Sequence, residues 1–211
     1  RCPGAEHQGH SMSGRDIVIV ASGGANTASL QFALQRLDAG SQVSADAERI
    51  RAASHVILPG VGAAADAMAR LRQNRLDELI PALRQPVLGI CLGMQLLFES
   101  SEEGDTTCLG ILPGRARRFA ADADRPVPHM GWNTLDIPRP TPLTTGLADG
   151  DYAYFVHSYA LPPCGATVAS TRYGTPFSAC VQQRNFYGAQ FHPERSAAVG
   201  ARLLQNFLGM D

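Results

Sequence analysis

Three short apolar runs mark the first half of the chain, at residues 17–21, 55–58 and 85–90. Each is too short for a helix and rich in Ile, Val and Leu, the pattern of strands buried on both faces. The first runs into Ser22-Gly23-Gly24 and the second into Pro59-Gly60-Val61-Gly62, both glycine turns. The third runs straight into Cys91. Between the runs the apolar spacing changes to that of helices. Leu30, Ala33, Leu34 and Leu37 form one stripe, with Asn26 or Thr27 as its cap and Ala39-Gly40 as its stop. A short strand at 42–44 and a small helix at Ala47–Ala52 come next. Helices are then predicted at 63–72, 76–83 and 94–100. Strands alternating with helices predict an α/β fold, a mixed but mostly parallel central sheet with helices on both faces.

The second half changes character. Prolines gather at positions 126, 128, 138, 140 and 142. Candidate strands at 115–119, 134–137, 152–160, Thr167–Tyr173, 178–183 and 186–191 are separated by turns. Some of these pair antiparallel, with Arg184-Asn185 as a hairpin turn. A last helix, Ala197–Leu208, carries Val199, Leu203, Leu204 and Phe207 on one stripe.

Composition narrows the class without naming a function. The 211 residues are 45% hydrophobic and 18% charged, with a net charge of −1. These are ordinary values for a globular domain and point neither to nucleic acid nor to an anionic membrane. Residues 1–11 are polar and precede Met12, so they read as an extraneous leader, and residues 12–211 as a single domain. The five cysteines, at 2, 91, 108, 164 and 180, form no C-x-x-C pair. That argues against a zinc site or disulfide framework, and neither a metal nor a cofactor is expected. A reducing cytoplasm fits such thiols best.

One of these cysteines is unlike the others. Cys91 lies in Gly89-Ile90-Cys91-Leu92-Gly93, between a buried strand and a helix start. This is the cysteine form of a nucleophile elbow, in which the flanking glycines would allow the sharp turn and the helix start would favour a thiolate. A thiol nucleophile needs a base, and about 100 residues on stands Gln190-Phe191-His192-Pro193-Glu194. Pro193 keeps its neighbours extended, so Glu194 is placed to reach back to His192 and fix its tautomer. Cleavage of an amide also requires donors for an oxyanion. The N–H groups of Leu92 and of Val61, in the 59–62 turn, are the candidates.

These motifs resemble those of class I glutamine amidotransferases. The likeness is strongest to the glutaminase-subunit family of imidazole glycerol phosphate synthase. Besides Gly89 to Gln95 and Gln190 to Glu194, it rests on Leu58-Pro59-Gly60-Val61-Gly62, Leu112-Pro113-Gly114, Pro128-His129-Met130-Gly131-Trp132-Asn133 and Tyr154-Phe155-Val156-His157-Ser158-Tyr159. The resemblance implies the flavodoxin-like amidotransferase fold and a Cys91–His192–Glu194 triad. It implies glutamine contacts from Gly62, Gln95, Glu103, Ser158 and Tyr159. It implies a partner-facing surface at Trp132, Asn133, His157 and Arg195, with His157 either supporting the site or facing the partner. The partner would be a (β/α)₈ cyclase subunit that receives ammonia and makes imidazole glycerol phosphate and an aminoimidazole carboxamide ribonucleotide in histidine biosynthesis. The 22–26 segment departs from the Y-G-x-G-N of many relatives. From residues alone three alternatives stay open: an amidotransferase serving anthranilate or aminodeoxychorismate synthesis, a free-standing cysteine hydrolase, and a non-catalytic regulatory or scaffold subunit, against which the intact triad speaks.

Overall fold

The structure is a computed structural model that describes residues 15–22 and 27–211. Residues 1–11, expected to lie outside the domain, and Gly23 to Asn26 with its candidate cap fall outside the described residues.

The apolar runs do become strands. The first half comprises β1 (Ile17–Val20), α1 (Thr27–Gln35), β2 (Ser41–Ser44), α2 (Ala47–Ala52), β3 (His55–Gly60), α3 (Ala64–Gln73), α4 (Leu76–Ala82), β4 (Val87–Cys91) and α5 (Leu92–Leu96). The second half comprises β5 (Phe98–Ser101), β6 (Thr106–Thr107), β7 (Leu112–Arg118), β8 (His129–Thr134), β9 (Tyr152–His157), β10 (Tyr159–Ala160), β11 (Thr167–Tyr173), β12 (Thr175–Gln183), β13 (Phe186–Ala189) and α6 (Ala197–Leu208).

Seven strands form the central sheet in the order β11-β12-β13-β4-β3-β1-β2. The pairs from β2 through β1, β3 and β4 to β13 are parallel, while β11–β12 and β12–β13 are antiparallel. Strand alternation then divides the core in two. Ile17, Ile19 and Ile57 point to the face covered by α1 and α6. Val18, Val20, Val56 and Leu58 point to the face covered by α2, α3 and α4. A four-stranded sheet, β10-β7-β5-β6, and a two-stranded ribbon, β8-β9, are added at the edge where the parallel strands end.

Two segments differ from the sequence-based expectation. The helix predicted at 94–100 is only the short α5, followed by the strand β5. Leu96, Leu97 and Phe98 are all buried, so the segment has no polar side to mark where the helix stops. The stretch from His129 to Asn133 read as a proline-rich loop, with a strand beginning only at 134. It is the strand β8, paired from His129–His157 to Thr134–Tyr152, and the strand expected at 134–137 is absent beyond Thr134 except for a single bridge from Asp136 to Ser170. Its partner lies far along the chain, which local spacing does not reveal.

Candidate active site

Cys91 ends β4 and caps α5 with φ 54° and ψ −114°. A side chain at this backbone angle is crowded, and such residues typically cost about 1–3 kcal/mol. The surroundings hold it there. A Cβ on Gly93 would lie 1.8 Å from the Leu58 carbonyl oxygen, and one on Gly60 would lie 2.6 Å from the Gly93 nitrogen. The turn itself is therefore made by Cys91 and not by its flanking glycines. Gly93 instead lets the first turn of α5 press directly onto β3.

His192 follows β13 and opens a 3-10 turn, Pro193–Arg195, so only His192 keeps the extended path expected around Pro193 and Glu194 returns to the ring through the turn. Its main-chain N–H donates to the Tyr154 carbonyl at 3.0 Å, which ties it to β9. The ring Nδ1 lies 2.9 Å from Glu194 Oε1. An ionised carboxylate only accepts, so Nδ1 carries a proton and Nε2 is left free on the side of the pocket that Cys91 also lines. Burial by itself would push this imidazole down. Its hydrogen bonds to Cys91 and Glu194 outweigh burial and raise it to about 10. The second Glu194 oxygen is buried without a hydrogen-bond partner among the described residues. The carboxylate is therefore not neutralised from its other side. Cys91, His192 and Glu194 thus form one contiguous group at the carboxyl edge of the sheet, the edge at which open α/β sheets bind ligands.

Beside the group is a cavity of about 360 Å³. Its walls include Val61, Gly62, Cys91, Leu92, Gln95, Glu103, Ser158, Tyr159, His157, His192 and Arg195. A smaller recess of about 190 Å³ continues past Val61 toward Pro59 and Glu194. A larger groove of about 800 Å³, lined by Arg51, Arg75 and Arg84 among others, contains no cysteine or histidine. Gly62 has φ 89°, and a Cβ there would meet nothing within 4 Å, so the 59–62 turn faces open space. Glu103 gives one carboxylate oxygen to the Ala64 N–H at 2.7 Å, which anchors the start of α3 at the pocket wall. Gln95 is buried, with its side-chain nitrogen 2.8 Å from the Tyr159 carbonyl.

Behind the pocket lies a box of rings. His129 stacks on Tyr173 and Phe155. Phe119, His157 and Phe177 pack edgewise around them. His157 Nδ1 is 2.8 Å from the Tyr159 carbonyl, so it donates, and its Nε2 accepts from His129 Nδ1 at 3.1 Å. His129 Nε2 then faces the Asn133 amide at 3.4 Å. Burial holds both histidines neutral, His129 at about 4 and His157 at about 3. His157 is only 6% exposed, so it supports the pocket from within and is no surface contact.

The outer face of the β8-β9 ribbon is different. Trp132, Met130 and Tyr152 are 52%, 64% and 58% exposed. Trp132 meets Tyr154 edge to face at 5.8 Å, and the exposed Arg195 guanidinium stands 5.3 Å from the same Tyr154 ring. A contiguous aromatic and Met surface that ends at the pocket mouth has the make-up of a protein interface. Met130 and Tyr152 were missed by sequence reasoning, although on paired strands they fall within reach of Trp132. Gln190 was missed as well. The signal for it was a polar residue within a run of buried strand.

Among the described residues there is no group of three His, Cys, Asp or Glu side chains fit to hold a metal ion. Nor is any of their helices long and apolar enough to cross a membrane.

Comparison with known proteins agrees with this geometry. The family model for class I glutamine amidotransferases matches residues 19–210. The chain is 53% identical to the imidazole glycerol phosphate synthase subunit HisH of Xylella fastidiosa, over 93% of this chain and 98% of that one. It is 52% identical to the HisH subunit of Xanthomonas euvesicatoria, over 92% and 98%. Among solved structures, a glutamine amidotransferase superimposes with a TM-score of 0.71 at 20% identity, covering 92% of this chain and 97% of that one. PurLQS from Thermotoga maritima gives a TM-score of 0.68 at 17% identity, covering 92% of this chain and 98% of that one. The chain therefore belongs to the class I glutamine amidotransferases, and within them to the family of imidazole glycerol phosphate synthase HisH subunits.

Proposed function

We propose that this chain is the glutaminase subunit of a cytoplasmic imidazole glycerol phosphate synthase, with Cys91 as nucleophile, His192 as its base and Glu194 as the orienting carboxylate. The observation that carries the proposal is the position of His192, hydrogen-bonded to Glu194 on one side and sharing with Cys91 the wall of a glutamine-sized cavity on the other.

The chemistry follows from that position. His192, whose ring is held well above the ordinary imidazole range, keeps the thiol proton on Nε2 as an imidazolium, and the Cys91 thiolate attacks the side-chain carboxamide carbon of glutamine. The electron pair of the C=O bond moves to oxygen, and the N–H groups of Leu92 and Val61 receive the oxyanion. On collapse, His192 returns the proton to the leaving nitrogen. Ammonia departs and a glutamyl thioester remains. Water, deprotonated by the same ring, then releases glutamate and restores the thiol. Gly62, Gln95, Glu103, Ser158 and Tyr159 hold the amino-acid end of the substrate. The nitrogen of Gln95 is already engaged by Tyr159, which leaves its oxygen to accept from the ammonium group of glutamine.

The ammonia passes to a (β/α)₈ cyclase subunit. That subunit forms imidazole glycerol phosphate and an aminoimidazole carboxamide ribonucleotide from a phosphoribulosyl-formimino precursor. The exposed ribbon face with Trp132, together with the neighbouring Arg195, is the docking surface, whereas Asn133 lies on the opposite face, its amide turned to His129 and the Arg172 carbonyl, and braces the ribbon from behind. The 59–62 turn gives this partner a control point. Rotation of one Gly-Val peptide exchanges an N–H for a carbonyl toward the oxyanion, and losing one donor costs roughly a hundredfold or more in rate.

Cys91→Ala tests the assignment. With the cyclase present it is expected to lose glutamine-dependent synthesis, by a factor on the order of 10⁴ or more, while synthesis from added ammonia continues. Normal glutamine turnover in Cys91→Ala would overturn it. The control point is tested by glutaminase kinetics on the chain alone, with the cyclase, and with cyclase plus nucleotide. Equal kcat in all three would remove it.

A further inference from the structure

Gln190 plays no part in the chemistry above, yet its side chain faces the sulfur. It stands two residues before His192, fully buried, with its main-chain N–H held by the Ala179 carbonyl at 2.8 Å. Its amide reaches in two directions. Oε1 is 3.1 Å from the Gln95 nitrogen, and Nε2 is 3.8 Å from Cys91 Sγ.

Valence fixes which way round these amides sit. The Tyr159 main-chain carbonyl can only accept, so the nitrogen of Gln95 must face it. The second hydrogen on that nitrogen then requires an acceptor, and Gln190 Oε1 supplies it. What remains of the Gln190 amide, its N–H, is aimed at Cys91. On another side the sulfur lies 3.7 Å from the Val156 carbonyl, which also only accepts. The two neighbours therefore favour opposite states. The Val156 carbonyl takes a hydrogen bond from S–H and suits the thiol, whereas the Gln190 N–H suits the thiolate.

We propose that Gln190 is a further residue of the reaction, a donor that holds and aims the Cys91 thiolate once His192 has taken the proton, with Gln95 and the Tyr159 carbonyl as the brace that keeps its N–H turned toward sulfur. The proton moves from Cys91 Sγ to His192 Nε2. Gln190 exchanges nothing and offers a hydrogen bond that strengthens as negative charge appears on sulfur. Gln95 thereby acquires a second duty. Besides lining the glutamine pocket, it sets the orientation of the sulfur's donor. The proposal rests on the reading of Cys91 as the nucleophile.

The test is the pH profile of Cys91 alkylation by iodoacetamide, followed on the Cys91 peptide by mass spectrometry. It needs neither glutamine nor a partner. Gln190→Met removes the donor at similar volume. Gln190→Glu keeps an acceptor for Gln95 but turns a negative oxygen toward sulfur. We expect the alkylation midpoint to rise by roughly one pH unit in Gln190→Met and further in Gln190→Glu. Each unit corresponds to about a tenfold slower reaction at a pH below the midpoint. With the cyclase present, kcat for glutamine should fall while KM changes little. The parent chain supplies a second measurement that does not depend on a variant folding. The side-chain amide resonance of Gln190 should shift with the same midpoint as Cys91 alkylation. An unmoved resonance, or alkylation profiles that superimpose in parent and variants, would overturn the role of Gln190 alone. A parent Cys91 that titrates like a free thiol and reacts no faster than Cys164 would overturn the nucleophile assignment together with it.

Discussion

The two halves of the molecule meet at the site and hold their contributions by different means. In the half that ends at Cys91, the strands are apolar throughout and the key group is fixed by backbone exclusion. Gly93 has no room for a Cβ, and Cys91 is pressed into a crowded φ, ψ combination. In the half that carries His192, buried polar groups do the fixing. Glu194 holds the imidazole, the Tyr154 carbonyl holds its backbone, and two neutral histidines and a set of rings brace the strands behind it. Steric exclusion tolerates almost no change in volume but is indifferent to pH. Hydrogen-bonded bracing tolerates changes of shape and is sensitive to protonation. The proposed nucleophile is thus guarded against misplacement and the proposed base against mistitration.

That contrast can be broken most severely at Gly93. Gly93→Ala would drive a methyl group to 1.8 Å from the Leu58 carbonyl oxygen, main chain against main chain, where neither atom belongs to a flexible side chain. We expect little folded protein, or a loss of stability above about 3 kcal/mol, measured by urea unfolding. A stable, active Gly93→Ala would show that α5 is free to move. Glu194→Gln addresses the other half. It keeps the volume but weakens the hold on the His192 tautomer, so kcat with the cyclase should fall about a thousandfold or more. Its unfolding midpoint should stay near that of the parent. A fall in stability with unchanged kcat would reverse the assignment of Glu194.

A pH titration compares the halves directly. His129 is held at about 4 in the folded chain against an ordinary value near 6.5. The unfolded chain therefore binds the proton first as pH falls. The associated stability is complete above about pH 6.5 and is lost progressively toward pH 4. We expect urea unfolding to show this loss, on the order of 1–3 kcal/mol, and to show it reduced in His129→Phe. An identical pH dependence in parent and variant would place the acid sensitivity elsewhere. The smallest expected effect separates strain from chemistry. Cys91→Gly and Cys91→Ala should both lack glutaminase activity, but the glycine variant should be the more stable by about 1–2 kcal/mol, because only glycine occupies φ 54°, ψ −114° without crowding. Equal stability would mean that the turn is unstrained.

Much of this was legible in the residues themselves. The buried strands, the elbow and the His-Pro-Glu spacing are local patterns, and α2, β11 and α6 run over the spans that spacing predicts. What local pattern could not convey was pairing at a distance. β8 looked like a loop because its partner β9 begins 18 residues after it ends, at Tyr152 against Thr134. The end of α5 was hidden because Leu96, Leu97 and Phe98 are buried whichever element they adopt. Gln190 escaped notice because one buried amide acquires meaning only when the sulfur, Gln95 and the Tyr159 carbonyl are seen around it.

The strand order also imposes a sequence in time. β4 and β13 are neighbours in the sheet, yet Ile90 and its partner Ala189 are separated by most of the second half of the chain. As the polypeptide emerges from the ribosome, β1 to β4 acquire their mutual partners early. The far side of β4, the strand that ends in the proposed nucleophile, remains an unpaired apolar edge until β13 arrives. Such edges are where nascent chains associate wrongly. The same delay keeps a half-made chain from releasing ammonia, because it carries a sulfur with no imidazole beside it. Insertion of β13 closes the sheet and delivers His192 in one event, so escape from aggregation and onset of catalysis should share a single slow folding step.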